Sequence, residues 1–72
     1  MEEIHITDAY ITLGQLLKLT NIFDSGGFIK SYLKDQGVYV NEKLEHRRGR
    51  KLYPNDVIQL DETHIFVVRD QK

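Results

Sequence analysis

Hydrophobic residues alternate with polar ones at the start of the chain and recur in short, β-rich runs in its second half. Ile4 and Ile6 alternate with polar neighbours, which is the period of a strand with one buried face. The runs 38–40, 57–60 and 65–68 are rich in valine and isoleucine and are bounded by turn-forming residues. These segments are predicted strands, with turns expected at 41–42, 53–56 and 61–64.

The segment after the first strand has the spacing of a short amphipathic helix. Thr12 and Gln15 fit a capping box, in which the Thr12 hydroxyl and the Gln15 amide satisfy backbone groups at a helix start. Three apolar residues share one face of this helix, namely Leu13, Leu16 and Leu17. We expect the helix to end near Asn21.

A second helix is predicted at about residues 25–36. Asp24 or Ser25 can cap its start, and Gly37 supplies a left-handed stop after its end. Its apolar positions recur with helical spacing, at Phe28, Ile29, Tyr32 and Leu33. We expect these four residues to face the core.

Length and composition restrict the class of protein. A chain of 72 residues has room for one domain, and 40% hydrophobic with 29% charged residues is typical of a soluble globular protein. The sequence contains no apolar run long enough to cross a membrane, no secretory signal and no cysteine, so we expect a cytoplasmic protein without disulfides. A domain this small has little room for a roofed cavity. We therefore expect no enzymatic activity, no small-molecule substrate and no cofactor.

The formal net charge of −1 conceals a strongly basic segment at residues 43–51, which we call the basic loop. Residues 43–51 carry one acidic side chain, Glu45, and half of the basic residues of the chain: Lys43, Arg47, Arg48, Arg50 and Lys51. Such clustering indicates an anionic partner such as nucleic acid, although an exposed, flexible loop without a ligand can have the same composition. We expect these cations to be exposed and to contribute little to stability.

The second predicted helix adds a polar stripe formed by Gly26, Lys30 and Lys34. Gly26 and Gly27 in its first turn each cost ~1 kcal/mol of helix propensity relative to alanine. Two interpretations are open. Bare amides at a helix start can bind phosphate, with Lys30 adding a full charge, or the glycines only permit tight packing or a turn.

Several short motifs, in order along the chain, resemble the S4 RNA-binding domain family, and the stand-alone YaaA/YbcJ-like bacterial members look most similar. The motifs are Leu13-x-x-Leu16-Leu17, Ser25-Gly26-Gly27-x-x-Lys30, Gly37-Val38-x-Val40-Asn41, Glu45-x-Arg47-Arg48-Gly49-Arg50-Lys51-Leu52 and Asp56-Val57-Ile58. The resemblance implies an α+β fold of the S4-like (alpha-L) type, with two short helices on a small, bent antiparallel sheet. It also implies that RNA binds along the helical face and the neighbouring hairpin.

On this resemblance we expect a monomer that binds structured RNA, with ribosomal RNA or a ribosomal particle as the partner. The expected RNA-binding residues are Gly26, Gly27, Lys30, Lys34, Asn41, Lys43, Arg47, Arg48, Arg50 and Lys51. The three arginines are the strongest candidates, because forked guanidinium groups suit phosphates and 2′-hydroxyls. Asn41 fits a role in the turn better than a contact with RNA. Tyr39 and Tyr53 either stack on bases or lie at the surface without a ligand.

A protein-interaction module is the alternative. In that case the apolar strand at 65–68 would pair edge to edge with a partner, and the basic loop would contact an acidic protein. The histidines, His5, His46 and His64, stand far apart without the spacing of a zinc site, so a metal centre is not expected. Strong salt dependence would distinguish RNA binding from edge-strand pairing.

Overall fold

The computed structural model describes residues 1–71, and this part of the chain contains two helices and seven short strands. In chain order the elements are β1 (Glu2–Ile6), β2 (Ile11–Thr12), α1 (Leu13–Leu19), α2 (Gly26–Asp35), β3 (Val38–Val40), β4 (Lys43–Glu45), β5 (Lys51–Leu52), β6 (Val57–Gln59) and β7 (Ile65–Asp70). The expected α+β class is confirmed. Among the described residues, no helix is long and apolar enough to span a bilayer.

The strands form a five-stranded sheet in the order β1-β7-β6-β3-β4 and a separate pair of β2 with β5. Neighbours from β7 to β4 are antiparallel, as expected, but β1 pairs with β7 in parallel. The sheet is therefore mixed rather than wholly antiparallel. The nearly sixty residues between β1 and β7 form a long connection, and a long connection allows parallel pairing that a hairpin forbids.

Both helices begin at the polar caps that the sequence indicates. The Thr12 hydroxyl accepts the Gln15 amide at 3.3 Å, while the Gln15 side chain accepts the Thr12 amide at 3.0 Å. Ser25, rather than Asp24, caps α2, because its hydroxyl accepts the Phe28 amide at 3.4 Å. Gly37 follows α2 with φ +75°, the left-handed stop that was expected. α1 ends at Leu19, two residues earlier than expected.

The core lies between the two helices and one face of the sheet. Its fully buried side chains include the α1 leucines and residues from every layer, namely Leu13, Leu16, Leu17, Leu33, Val38, Val40, Leu52, Ile58 and Val68. Ile29 is also buried, but Phe28 is 59% exposed, so the prediction of a core position for Phe28 is wrong. Helical spacing places Phe28 near the edge of the stripe, and only packing decides on which side of that edge it lies.

The apolar run in β7 is an interior strand and not an edge. β7 pairs with β1 on one side and with β6 on the other. Both of its hydrogen-bonding sides are therefore occupied, and it has no row of free backbone groups to offer a partner. The edge-strand interaction at 65–68, which the alternative function required, is wrong for this reason.

Candidate RNA interface

The basic loop is fixed to the start of α1 by backbone hydrogen bonds. The Leu13 amide donates to the Arg50 carbonyl at 2.8 Å, and the Gly14 amide donates to the Arg48 carbonyl at 2.9 Å. These are the first two amides of α1, which have no acceptor within the helix. A Cβ atom at Gly14 would lie 3.4 Å from the Arg48 carbonyl oxygen, so the backbone of the loop lies directly against the start of α1. The loop is therefore anchored to α1 and is not a loosely tethered basic segment.

The carboxylate of Glu45 is the centre of a hydrogen-bond cluster inside the loop. Its Oε2 accepts the His46 amide at 3.0 Å and the Arg47 amide at 3.1 Å. The Arg47 side chain adds two bonds, from Nε to Oε2 at 3.1 Å and from Nη2 to Oε1 at 3.0 Å. Arg50 Nη1 donates to Oε1 at 2.9 Å. Glu45 is buried, and these groups satisfy its charge.

Two of the three loop arginines are thus held by an internal ion pair. The hydrogen bond from Arg47, followed by those from Arg50 and the two amides, lowers the pKa of Glu45 from 4.5 to about 2, although burial opposes the shift. Arg47 and Arg50 are therefore paired with a buried carboxylate rather than unpaired, mutually repelling cations, and on this geometry we expect both to contribute to stability. The Arg47 side chain nevertheless remains 74% exposed and keeps unused donors. The cluster orients these two cations without removing them from the surface.

A groove lies between the start of α1, the start of α2 and the basic loop. It has a volume of about 310 Å³ and is lined by Thr12, Gly14, Gln15, Lys18, Gly26, Ile29, Arg48 and Gly49. Arg48 is exposed, and no salt bridge is found for it among residues 1–71. The groove therefore brings together two cations, Lys18 and Arg48, from segments thirty residues apart in the chain.

The first residue of α2, Gly26, lines this groove, and Gly27 follows it in the first turn of the helix. Within the described part of the chain, no acceptor binds the Gly26 or Gly27 amide, whereas the loop occupies the corresponding amides of α1. Packing does not explain the glycines. A Cβ atom at Gly26 would meet only Lys18 Cε at 4.0 Å, and one at Gly27 would meet only Ser25 Oγ at 3.6 Å. Of the two interpretations, tight packing is therefore wrong.

Lys18 was missed by the sequence analysis. It lies three residues after Gln15, outside the leucine stripe of α1, so helical spacing could have identified it as a solvent-facing cation. The sequence alone did not indicate that the start of α2 lies against this helix. The side chain passes close to Gly26, since Lys18 Cε would lie 4.0 Å from a Cβ atom at that position, and both residues line the groove.

The remaining predicted lysines lie outside the groove lining. Lys30 and Lys34 are exposed on α2, and Lys43 is exposed on the edge strand β4. Lys51 follows the loop in β5, and its Nζ lies 4.8 Å from the centroid of the Tyr10 ring. None of these four lysines lines the groove.

Asn41 has the turn role that the sequence analysis favoured. Asn41 and Glu42 both have positive φ, 51° and 72°, which is the pattern of a two-residue hairpin turn. The Asn41 side chain donates to Asp56 at 2.9 Å and accepts the Val57 amide at 2.9 Å. It thereby joins the β3–β4 turn to β6. Glu42 occupies a conformation that glycine adopts at lower energy.

Tyr39 and Tyr53 lie in surroundings of opposite charge. Tyr39 shares a hollow with Glu42, Asp61 and Glu62. The hydrogen bond from His64 holds the pKa of Asp61 well below its usual range, so this hollow is anionic at neutral pH. Tyr53 instead shares a hollow with basic loop residues, namely Arg47, Gly49, Arg50 and Lys51. The tyrosine ring of Tyr53 is thus beside groups that attract phosphate, and that of Tyr39 is beside groups that repel it.

Two of the histidines make hydrogen bonds within the fold, His46 with the Leu33 carbonyl at 2.6 Å and His64 with Asp61 at 2.9 Å. Across residues 1–71 there is no group of three or more His, Cys, Asp or Glu side chains placed to hold a metal ion.

Comparison with known proteins places the chain in a family. A family model described as S4 domain matches residues 4–68. The chain is also 47% identical over 58 residues to the "Probable ribosome maturation protein RlbA" of Bacillus subtilis (strain 168), an alignment that covers 81% of this chain and 82% of the relative. The match extends from β1 to β7 and includes both helices, the groove and the basic loop. The chain therefore belongs to the S4 domain family.

Proposed function

We propose that this protein binds structured RNA, with ribosomal RNA as the ligand, in the groove between α1, α2 and the basic loop. One observation carries the proposal. The Gly26 amide, which has no acceptor among the described residues, lies at a groove that is also lined by the cations Lys18 and Arg48, and the neighbouring Gly27 amide likewise has no acceptor there. Backbone donors at a helix start, a partial positive dipole and two full charges together favour phosphate. The role is one of binding, without catalysis or a cofactor.

The proposed contacts divide into a centre and a periphery. At the centre, Gly26, Gly27 and Arg48 bind the phosphate backbone together with Lys18. Arg47 and Arg50, oriented by Glu45, contact phosphates beside the groove. The exposed lysines outside the groove lining contact further phosphates, namely Lys30, Lys34, Lys43 and Lys51. Asn41 contributes by holding the turn. A-form RNA is recognised mainly through phosphates, 2′-hydroxyls and shape, which is what fixed cations and backbone amides can contact.

The family and the relative support the choice of ligand. S4 domains are RNA-binding modules, as the sequence resemblance implied, and the Bacillus relative is described as a probable ribosome maturation protein. A ribosomal RNA or a ribosomal particle in the cytoplasm is therefore the partner we propose, with the protein acting as a monomer. The anionic hollow at Glu42, Asp61 and Glu62 would repel phosphates, so we propose that the RNA does not contact it.

Binding to ribosomal RNA fragments tests this proposal. The double variant Lys18→Ala/Arg48→Ala should lose most of the affinity, and each single variant should lose part of it. Arg69→Gln, which removes one cation whose side chain contacts Glu3 and Asn55, is the control for the single variants and should retain the affinity. In cell extracts the native protein should co-sediment with ribosomal particles and be released by ribonuclease. Equal binding by the double variant and the wild type would refute the groove as the RNA site.

A further inference from the structure

The small sheet of β2 and β5 presents two tyrosines at one end. Ile11 pairs with Leu52, and Thr12 pairs with Lys51 in antiparallel register. Tyr10 and Tyr53 are the next residues outward, so they extend this register as a cross-strand pair. Their ring centroids are 6.1 Å apart with planes tilted by 50°.

Core packing does not account for these two rings. Ile11 and Leu52 point into the core, and because strand side chains alternate, their neighbours point to solvent. Tyr10 is 40% exposed and Tyr53 is 49% exposed. Lys51 lies on the same outer face, with Nζ 4.8 Å from the Tyr10 ring centroid, and covers one ring with a positive charge.

Cations lie on both sides of the tyrosine pair. Tyr53 shares a hollow with Arg47 and Arg50, and Gly49 belongs both to this hollow and to the proposed RNA groove. Tyr10 lines a second hollow, of about 440 Å³, which also includes Lys18. A chain of phosphates that follows these cations would therefore pass directly beside the two rings.

We propose that Tyr10, Tyr53 and Lys51 form a stacking site for one unpaired nucleobase of the RNA. Aromatic rings on a sheet surface provide a platform on which an unstacked base lies flat, and a fully paired duplex has no such base to offer. The preferred ligand is then a helical RNA with an unpaired nucleotide adjoining the duplex. This inference rests on the proposed function, because the groove and loop must hold the neighbouring phosphates.

Matched RNAs and matched tyrosine variants test the site. The probes are a short RNA duplex, the same duplex with one bulged adenosine, and that bulged duplex with an abasic nucleotide in place of adenosine. The variants are Tyr53→Leu and Tyr10→Leu. Tyr39→Leu is the control, since it removes an equally exposed tyrosine from the anionic hollow. Thermal unfolding checks that each variant is folded.

Wild-type protein should bind the bulged RNA at least about fivefold more tightly than the duplex or the abasic RNA. Tyr53→Leu and Tyr10→Leu should remove this preference without changing duplex affinity, and Tyr39→Leu should keep it. A 2-aminopurine at the bulge should lose fluorescence on binding to wild type, as expected for stacking on a ring, and not on binding to Tyr53→Leu.

Two results would overturn the stacking site. The first is equal affinity of the wild-type protein for bulged and paired RNA. In that case the proposed function still stands if the groove variant Lys18→Ala/Arg48→Ala loses affinity for both RNAs. The second is a preference for the bulge that survives both tyrosine substitutions. If no RNA binds under any condition, the proposed function fails together with this inference.

Discussion

Glu45→Gln is predicted to destabilise the protein and to weaken RNA binding, although it makes the chain more positive. The substitution keeps the shape of the side chain but replaces a carboxylate oxygen by an amide group that cannot accept from arginine. The donors from Arg47 and Arg50 then lose their charged acceptor. Charge alone predicts the opposite effect on binding, because removing a carboxylate from a basic loop should attract phosphate.

The pKa of Glu45 sets the scale of the effect on stability. A decrease from 4.5 to about 2 corresponds to roughly 3 kcal/mol of linked stability at neutral pH, at about 1.4 kcal/mol for each pKa step of one. Water screens this interaction because the Arg47 side chain is 74% exposed, so we expect about 1–2 kcal/mol for the substitution. For a domain of this length that corresponds to a decrease of roughly 5 to 15 °C in Tm.

The same reasoning predicts a pH signature. The lowered pKa means that the carboxylate form stabilises the fold, and this contribution is fully present above pH 4.5 and is lost as the pH falls from 4.5 towards about 2. The difference in unfolding free energy between wild type and Glu45→Gln should therefore shrink across that window. Urea unfolding from about pH 7 to about pH 3 measures it.

Glu62→Gln is the matched control. Glu62 lies exposed in the turn between β6 and β7, so the same chemical change should alter neither stability nor the pH profile by more than about 0.5 kcal/mol. A difference between wild type and Glu45→Gln that stays constant with pH would refute the role of the carboxylate in stability. Tighter RNA binding by Glu45→Gln would refute its role in orienting the arginines.

Three further predictions concern the groove and the loop. Arg48→Ala should weaken binding to ribosomal RNA about tenfold with little change in Tm, because the backbone carbonyl that anchors α1 is retained. Arg47→Ala should also lower Tm, because it removes hydrogen bonds to Glu45, and an unfolded Arg48→Ala would contradict this distinction. Gly27→Glu should nearly abolish binding in the same assay, and wild-type affinity of this variant would exclude phosphate at this position. Gly27→Ala should weaken binding less and should stabilise the fold by up to ~1 kcal/mol, because its methyl group would meet only Ser25 Oγ at 3.6 Å. With roughly four to six phosphates engaged, log affinity against log salt should fall with a slope of about −3 to −5, and a flat response would indicate binding without phosphate contacts.

Local chemistry in the sequence was sufficient to determine both helices and most strands. The capping box at Thr12 and Gln15, the cap at Ser25 and the left-handed stop at Gly37 depend on residues within a few positions of each other. Such signals act through nearby backbone groups and need no tertiary partner. The basic loop was likewise evident, because clustering of charge is a property of the sequence itself.

The tertiary structure decided which members of that loop are free to bind. In the sequence, Glu45 is one acidic residue among five basic ones. In the folded chain it is buried, and Arg47 and Arg50 donate hydrogen bonds to its carboxylate. Burial of a charge is a collective result of the surrounding packing, so no local pattern reports it. The anchoring of the loop on α1, which leaves Arg48 at the groove, is long-range in the same sense.

The direction of β1 and the position of Lys18 also depended on contacts distant in sequence. Alternation at Ile4 and Ile6 predicts a strand and its buried face, but its partner β7 lies at the far end of the described chain. The sequence places Lys18 on the polar face of α1, while the packing of α2 on α1 brings Gly26 beside it. Periodicity thus determines what each segment is and which face it buries, and only the folded chain determines which segments meet, because those contacts join residues that no local interaction couples.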